Sequence, residues 1–378
     1  MNAIFRLTFF CGIGIAHSLA TGAPMLKPVP TISKALVAGA TGSSFSEVAQ
    51  IRDVPTPVVG EGEALIQVVY AGVNGGCETF RARGEFAFTG NKQTDEKGFG
   101  LGAEGVGIVA ATGKGVANVK VGDAVCFVGS AFAEYSKVNA ETLWVIPEAL
   151  PEYVGLRISA LTSCAMLEQT GKLKAGETVL ITAAAGGAGH FAVQFAKLAG
   201  CTVIGTCSSP AKEAVLRELG CDHIINYRTQ DVLTELKRIA PDGLDAVFEG
   251  VGGAMLQMAL DALSPEGRLL QVGYISEYPH NPDAAKESAL NELTASSLFW
   301  NSETVQRGKQ TIYGNAWPRD NFAGMKKSSE RVRELYAQGK LTSLVDTTAE
   351  FSGLDSVASS IEHMLSGKTI GKVVVKIS

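Results

Sequence analysis

The spacing of apolar positions changes period repeatedly across the second half of the chain. Thr178-Val179-Leu180-Ile181 is a short continuous apolar run, the pattern of a strand buried on both faces. Tiny residues follow, Ala183-Ala184-Ala185-Gly186-Gly187-Ala188-Gly189. Phe191, Ala192, Phe195, Ala196, Leu198 and Ala199 then recur at helical spacing, and Gly200 supplies a stop. Residues 201–206 read as a second buried strand, which completes a βαβ unit. The alternation continues with a helix over 210–219, a strand over 223–226, a helix over 230–239 and a strand over 244–249. A helix over 254–263 and a strand over 268–272 end the series, predicting a doubly wound parallel sheet. Ahead of it, short strands at 34–38, 64–70, 106–109 and 123–128 with glycine punctuation predict a small β-barrel or sandwich. The tail, 370–377, reads as a strand returning to that β-rich part.

The turn between the first two strands carries the chemistry. Only Gly and Ala let the backbone approach a pyrophosphate, and the helix start behind them offers N–H donors and a positive dipole end. Ala184 stands at the first glycine of the usual fingerprint, and Gly186, Gly187, Ala188 and Gly189 complete the expected cradle. An NAD site wants a carboxylate at the end of the second strand to bind the ribose 2′-OH. Here Cys207-Ser208-Ser209-Pro210-Ala211-Lys212 contains none, and the first acid is Glu213. Ser208, Ser209 and Lys212 form a cradle for a 2′-phosphate, so NADPH is expected. Ser209 also suits a helix cap with Pro210 in the first turn, which is compatible with that role.

Composition narrows the class. The chain has 378 residues, long enough for two domains with sizeable cores. A net charge of −5 gives no sign of nucleic-acid binding. Seven cysteines are scattered singly with no CxxC pair, which argues against a disulfide framework or a structural zinc site. Residues 1–46 lack acids, and an apolar run over 7–16 behind Arg6 has the length of a signal segment. Residues 1–30 are therefore set apart as a targeting segment, expected to direct the chain to an organelle rather than the cytoplasm. The run is too short to span a bilayer comfortably, so no stable membrane insertion is expected. Ser366-Gly367-Lys368-Thr369 looks like a P-loop fragment but lacks the upstream glycine and strand, so it reads as a turn.

The strings Thr182-Ala183-Ala184-Ala185-Gly186-Gly187, Ile204-Gly205-Thr206-Cys207-Ser208-Ser209, Val251-Gly252-Gly253-Ala254-Met255 and Gly371-Lys372-Val373-Val374 resemble the medium-chain dehydrogenase/reductase superfamily over 34–378. Within it the likeness is to the zinc-free, quinone oxidoreductase-like branch and its prostaglandin reductase 3 type. The resemblance implies a GroES-like β-rich catalytic domain over 31–155 and a Rossmann NADP-binding domain over 156–312. Residues 313–378 would return to the catalytic domain. It further implies that Ser208, Lys212 and Tyr227 hold the 2′-phosphate, and that Val272 and Tyr278 lie near the nicotinamide. Gly250 stands where that type places a Ser beside the cofactor. Zinc-dependent members bind their metal through a Cys and a His at positions that match Asn74 and Ala103, beside Glu104. An amide and a methyl cannot replace thiolate and imidazole, so no metal is expected, and Cys77 reads as a packing or pocket-lining thiol.

Without zinc, conjugate reduction by NADPH is the chemistry expected: hydride to the β-carbon of an enone, with a donor for the developing enolate. Tyr278, at the end of Gly273-Tyr274-Ile275-Ser276-Glu277-Tyr278, is the first candidate donor, and Asn74 the second. The implied substrates are α,β-unsaturated ketones of the 15-oxoprostaglandin or lipid-enone kind. Two alternatives stand beside this: an NADPH quinone oxidoreductase, and a weakly catalytic NADPH-binding sensor or interaction protein. A homodimer is implied by the resemblance. A longer polar loop at 89–99, the stretch 279–310 and Asn315-Ala316-Trp317 depart from the family pattern around the substrate mouth.

Overall fold

The computed structural model describes residues 28–42, 44–75, 99–278, 294–301, 304–315, 317–318 and 321–378. The expected targeting segment up to residue 27, Cys77, the loop 89–98 and most of 279–303 lie outside the described residues.

The first part of the chain contains β1 (Ile32–Ala38), α1 (Phe45–Val48), β2 (Ala49–Pro55), β3 (Glu63–Gly72), β4 (Phe99–Gly100), β5 (Glu104–Thr112), β6 (Ala124–Val128), β7 (Tyr135–Asn139) and β8 (Trp144–Ile146). Its pairings are antiparallel, and β3 is central, flanked by β5, β7 and the C-terminal strand. That position explains why β3 is almost continuously apolar and buried rather than alternating. Phe127, Phe132 and Leu101 fill the space beneath it.

The second part begins with helix α2 (Leu161–Ala165), which continues as π-helical turns on both sides, Leu156–Ala160 and Met166–Thr170. It then runs β9 (Thr178–Ile181), α3 (Gly189–Leu198), β10 (Thr202–Cys207), α4 (Pro210–Glu218), β11 (His223–Asn226), α5 (Val232–Ile239), β12 (Leu244–Glu249), α6 (Gly253–Asp261) and β13 (Leu263–Gln271). After α7 (Ala295–Asn301), β14 (Thr304–Arg307) and β15 (Gln310–Tyr313) complete a sheet ordered β11-β10-β9-β12-β13-β15-β14. All neighbours run parallel except β14, and the order reverses between β9 and β12. That reversal opens a crevice at the carboxyl ends of the strands, where a dinucleotide-binding sheet takes its ligand. Alternation along β9 divides the core: Val179 and Ile181 face α3, while Leu180 joins the opposite layer with Ile204 and Leu256.

Three expectations change. The strand expected at 268–272 starts at Leu263, because the Pro265-Glu266-Gly267 stretch forms an irregularity within β13 rather than a boundary. The return to the first part was expected at 313, yet α8 (Phe322–Ala337) still packs Val332 and Leu335 among Phe191 and Phe195. After α9 (Val357–Leu365), only β16 (Val374–Lys376) of the expected 370–377 strand pairs with β3. Gly371 and Lys372 are diverted to bridges with Gly186 and Val345. That diversion joins the two halves.

The join is reinforced from α3. His190 is fully buried; its Nδ1 lies 2.9 Å from the Gly186 carbonyl, and its Nε2 accepts from Leu344 N–H at 3.1 Å. The proton is therefore on Nδ1, which donates. Gln194 exchanges a reciprocal pair with Thr342 at 2.9 and 2.7 Å. Burial, aided by the nearby Lys372 charge, pushes the His190 pKa down to about 4. The folded value lies below the unfolded one near 6.5, so this stabilisation is present above pH ~6.5 and is lost as pH falls toward 4. His190→Gln should cost about 1–3 kcal/mol at neutral pH and flatten that part of the acid dependence. Urea unfolding at several pH values checks this; identical pH slopes in both proteins would contradict it.

Candidate active site and cofactor cleft

A cavity of about 470 Å³ follows the crevice from the end of β10 to the end of β3. Its floor is the turn between β9 and α3. Ala183 takes the left-handed conformation there, with φ of 46°, and its carbonyl accepts from Gly186 N–H at 2.9 Å. A Cβ on Gly189 would lie 2.3 Å from that same carbonyl, so only glycine lets α3 start so close to the strand. Ala188, the N-cap, offers no side-chain acceptor to the first N–H groups of the helix. Two of those groups are met by backbone instead: His190 N–H donates to the Gly186 carbonyl and Phe191 N–H to the Ala188 carbonyl, both at 3.1 Å.

Gly186, Gly187, Ala188 and Gly189 all line the cavity, whereas Ala184 does not. Ala184 is fully buried behind the turn, where a Cβ on Gly205 would lie 3.1 Å from its own, and the tight bend is made by Ala183. The expected cradle role of Ala184 is therefore corrected to a packing role. An alanine in this conformation leaves no trace in the sequence.

At one end the wall is made by Cys207, Ser208, Lys212 and Tyr227. Lys212 Nζ donates to the Gly367 carbonyl at 2.6 Å, so the Ser-Gly-Lys-Thr turn crosses above it. Burial lowers the Lys212 pKa. Ser209 does not line the cavity; its hydroxyl caps α4, accepting from Lys212 N–H at 3.4 Å. Glu213 is taken up by Asn226 Nδ2 at 2.9 Å and Arg217 at 3.1 Å, and does not line the cleft. Thr206, fully buried near the end of β10 on the cavity wall, has a hydroxyl with no partner among the described residues. A ribose or base at that point would satisfy it. These features fit the adenosine half of a nicotinamide dinucleotide.

Towards the other end lie Gly250, Val272 and Tyr278. Glu249, fully buried, accepts from the N–H groups of Val251 and Gly252 and from Gln271, which fixes the loop after β12. A Cβ on Gly250 would meet nothing within 4 Å, so this stretch of wall stays open to a bulky flat group. Tyr278 is 6% exposed and packs edge-on to Tyr274 at 4.7 Å. Its hydroxyl is turned back to the chain, accepting from Tyr274 N–H at 3.3 Å.

Asn74 sits between two charges. Its Oδ1 accepts from Lys372 Nζ at 2.7 Å, and its Nδ2 donates to Glu104 Oε1 at 2.9 Å. Lys372 Nζ lies 2.6 Å from the same Glu104 oxygen, and the other oxygen accepts from Ile158 N–H at 2.9 Å. The amide orientation follows, since an ammonium can only donate. The amide expected to aim at the nicotinamide or substrate borders the cavity, and both of its ends are engaged, on the ammonium and the carboxylate. Lys372 was legible only as part of a strand motif, and Glu104 only as the neighbour of Ala103. The donor set does not fit a tetrahedral zinc site, because an amide, a methyl and a carboxylate already paired with lysine offer neither thiolate nor imidazole. Among the described residues no three His, Cys, Asp or Glu side chains come together for a metal. The described cavity wall carries two charged side chains, Lys212 and Lys372, and no carboxylate.

Residues 187–313 match the zinc-binding dehydrogenase family and residues 60–148 the alcohol dehydrogenase GroES-like domain. Prostaglandin reductase-3 of Mus musculus is 37% identical over 357 residues, covering 92% of this chain and 90% of that protein. A probable quinone oxidoreductase of Leishmania amazonensis is 36% identical, covering 84% and 90%. A mycobacterial structure complexed with NADPH superposes with a TM-score of 0.70 at 23% identity, covering 91% of this chain and 99% of that one.

The Gly189 contact yields a test with an unusual sign. At an ordinary helix position Gly→Ala stabilises by roughly 1 kcal/mol. Gly189→Ala should instead destabilise by about 1–3 kcal/mol through overpacking and weaken dinucleotide binding. Thermal unfolding and nucleotide titration read both effects.

Proposed function

The chain belongs to the medium-chain dehydrogenase/reductase superfamily of nicotinamide-dependent oxidoreductases, and from that premise we propose a zinc-independent, NADPH-dependent reductase of the C=C bond of α,β-unsaturated ketones. One observation carries the reading: a cleft whose only charged lining side chains, among the described residues, are cations near its two ends, Lys212 and Lys372. A 2′-phosphate suits the first cation, and the second lies beside the positions where zinc ligands are replaced. The bound cofactor would supply hydride; Ser208, Lys212 and Tyr227 would hold its phosphate, and Gly250, Val272 and Tyr278 would face its nicotinamide. Lipid enones, including 15-oxoprostaglandin-like ketones, suit an apolar mouth formed by Ile275, Phe299, Trp317 and Met364. A quinone acceptor is the second reading, supported by the name of the Leishmania relative. The same proposal takes the protein as a homodimer joined along β14, which ends the larger sheet.

Lys212→Ala should raise the NADPH dissociation constant about tenfold or more, since a charge-assisted contact is worth about 1.5–3 kcal/mol, and leave NADH binding nearly unchanged. Equal wild-type affinity for the two cofactors would refute the phosphate assignment. An enone should yield the saturated ketone by mass and NMR, with activity retained in chelator and no stoichiometric zinc by elemental analysis. An allylic alcohol as product, or turnover of quinones alone, would hand the function to the alternative.

A further inference from the structure

We propose that the Lys372 ammonium is the group that meets the substrate carbonyl oxygen as negative charge builds on it, with Asn74 and Glu104 acting as positioning residues. This rests on the reductase reading above. An ammonium has three N–H donors; one goes to Asn74 Oδ1 at 2.7 Å, and Glu104 Oε1 lies 2.6 Å away as the ion-pair partner. The two partner side chains are themselves bonded at 2.9 Å, so they lie on one side of the ammonium. Among the described residues no other protein acceptor is bonded to Nζ, although the side chain is only 3% exposed and borders the cavity.

The side chain cannot swing away. A Cβ on Gly72 would lie 3.0 Å from its Cε and one on Gly187 would lie 3.5 Å from its Cδ, so the stem is clasped between the first strand system and the cofactor turn. Its backbone is fixed as well: Lys372 N–H donates to Leu344 at 2.7 Å and its carbonyl accepts from Asp346 N–H at 2.8 Å. The donor is therefore aimed before any ligand arrives, which is the condition for strong stabilisation of a developing charge.

The bound cofactor would supply hydride to the β-carbon, and the former C=C electron pair would move to join the α-carbon and carbonyl carbon. The carbonyl oxygen would take the charge and be held by the Lys372 N–H. A solvent proton would then reach the α-carbon and the C=O bond would re-form, so the substrate gains the two electrons that the cofactor gives up.

Lys372→Met alone would bury Glu104 unpaired, so the test pairs it with Glu104→Gln, which removes both charges together. The double variant should melt near the wild type and bind NADPH within about threefold, by nicotinamide fluorescence. Its kcat at saturating NADPH should fall about 100- to 1,000-fold, the range for loss of one oxyanion donor. The loss should grow as the enolate formed becomes more basic. A chromogenic nitrophenol gives a readout without turnover: wild type should bind the phenolate and lower its apparent pKa, and the double variant should not. If the double variant does not fold, Asn74→Ala keeps the ion pair while freeing the ammonium. That variant should lose kcat about tenfold with NADPH affinity retained. Weakened NADPH binding with kcat intact would make Lys372 a cofactor anchor, and unchanged kcat, affinity and phenol titration would make it structural; either overturns the proposal. Wild-type protein that oxidises NADPH with no enone would instead sink the reductase reading.

Discussion

The buried pair Lys372–Glu104, with Asn74 between them, is the constraint on which the rest of the site depends. Taking two opposite charges out of water is expensive, and their attraction offsets that cost only when the remaining hydrogen-bonding capacity is met. Here it largely is. Glu104 receives Lys372, Asn74 and the Ile158 backbone, so β5 and the helix that opens the second half are drawn to one point. Lys372 in turn sits one residue after Gly371, whose N–H donates to the Ala185 carbonyl of the cofactor turn at 2.8 Å. Removing one charge alone would leave the other buried without its ion-pair partner.

This arrangement also explains why the last strand is short. In the register that sets Val374 opposite Gly72, residues before 374 run past the end of β3, and Gly371 and Lys372 pair instead with Gly186 and Val345. Two bodies with separate cores thereby acquire a shared one, in which Trp144 and Val154 of the first pack with Phe191 and Leu335 of the second. His190 and Gln194 extend the seam along α3, turning what is usually a solvent-facing first turn into a buried one.

Charge along the cleft follows the same logic of diversion. Glu213, the first acid after β10, could have faced the ribose, but Asn226 and Arg217 draw it away. Lys212 is left as the cation at that end, held over the cleft by the Gly367 carbonyl. Near the other end the carboxylate Glu104 lies behind the ammonium of Lys372, so the cation is what the cavity meets.

The βαβ series and the dinucleotide turn were legible in the sequence because apolar period and glycine placement are local consequences of burial and turn geometry. Gly186, Gly187, Ser208 and Lys212, which follow strand ends, line the cavity, as does Tyr227, which only the family resemblance had singled out. Ala184 was misassigned because facing is decided by turn orientation: Ala183, not its neighbour, makes the bend. Asn74 and Lys372 lie almost three hundred residues apart, and neither carries a local signal of the other. The sequence by itself determined which strands form and which end of the sheet binds a nucleotide. Only the tertiary structure decided which polar groups converge, because a buried charge is placed by partners that the chain brings together from distant segments.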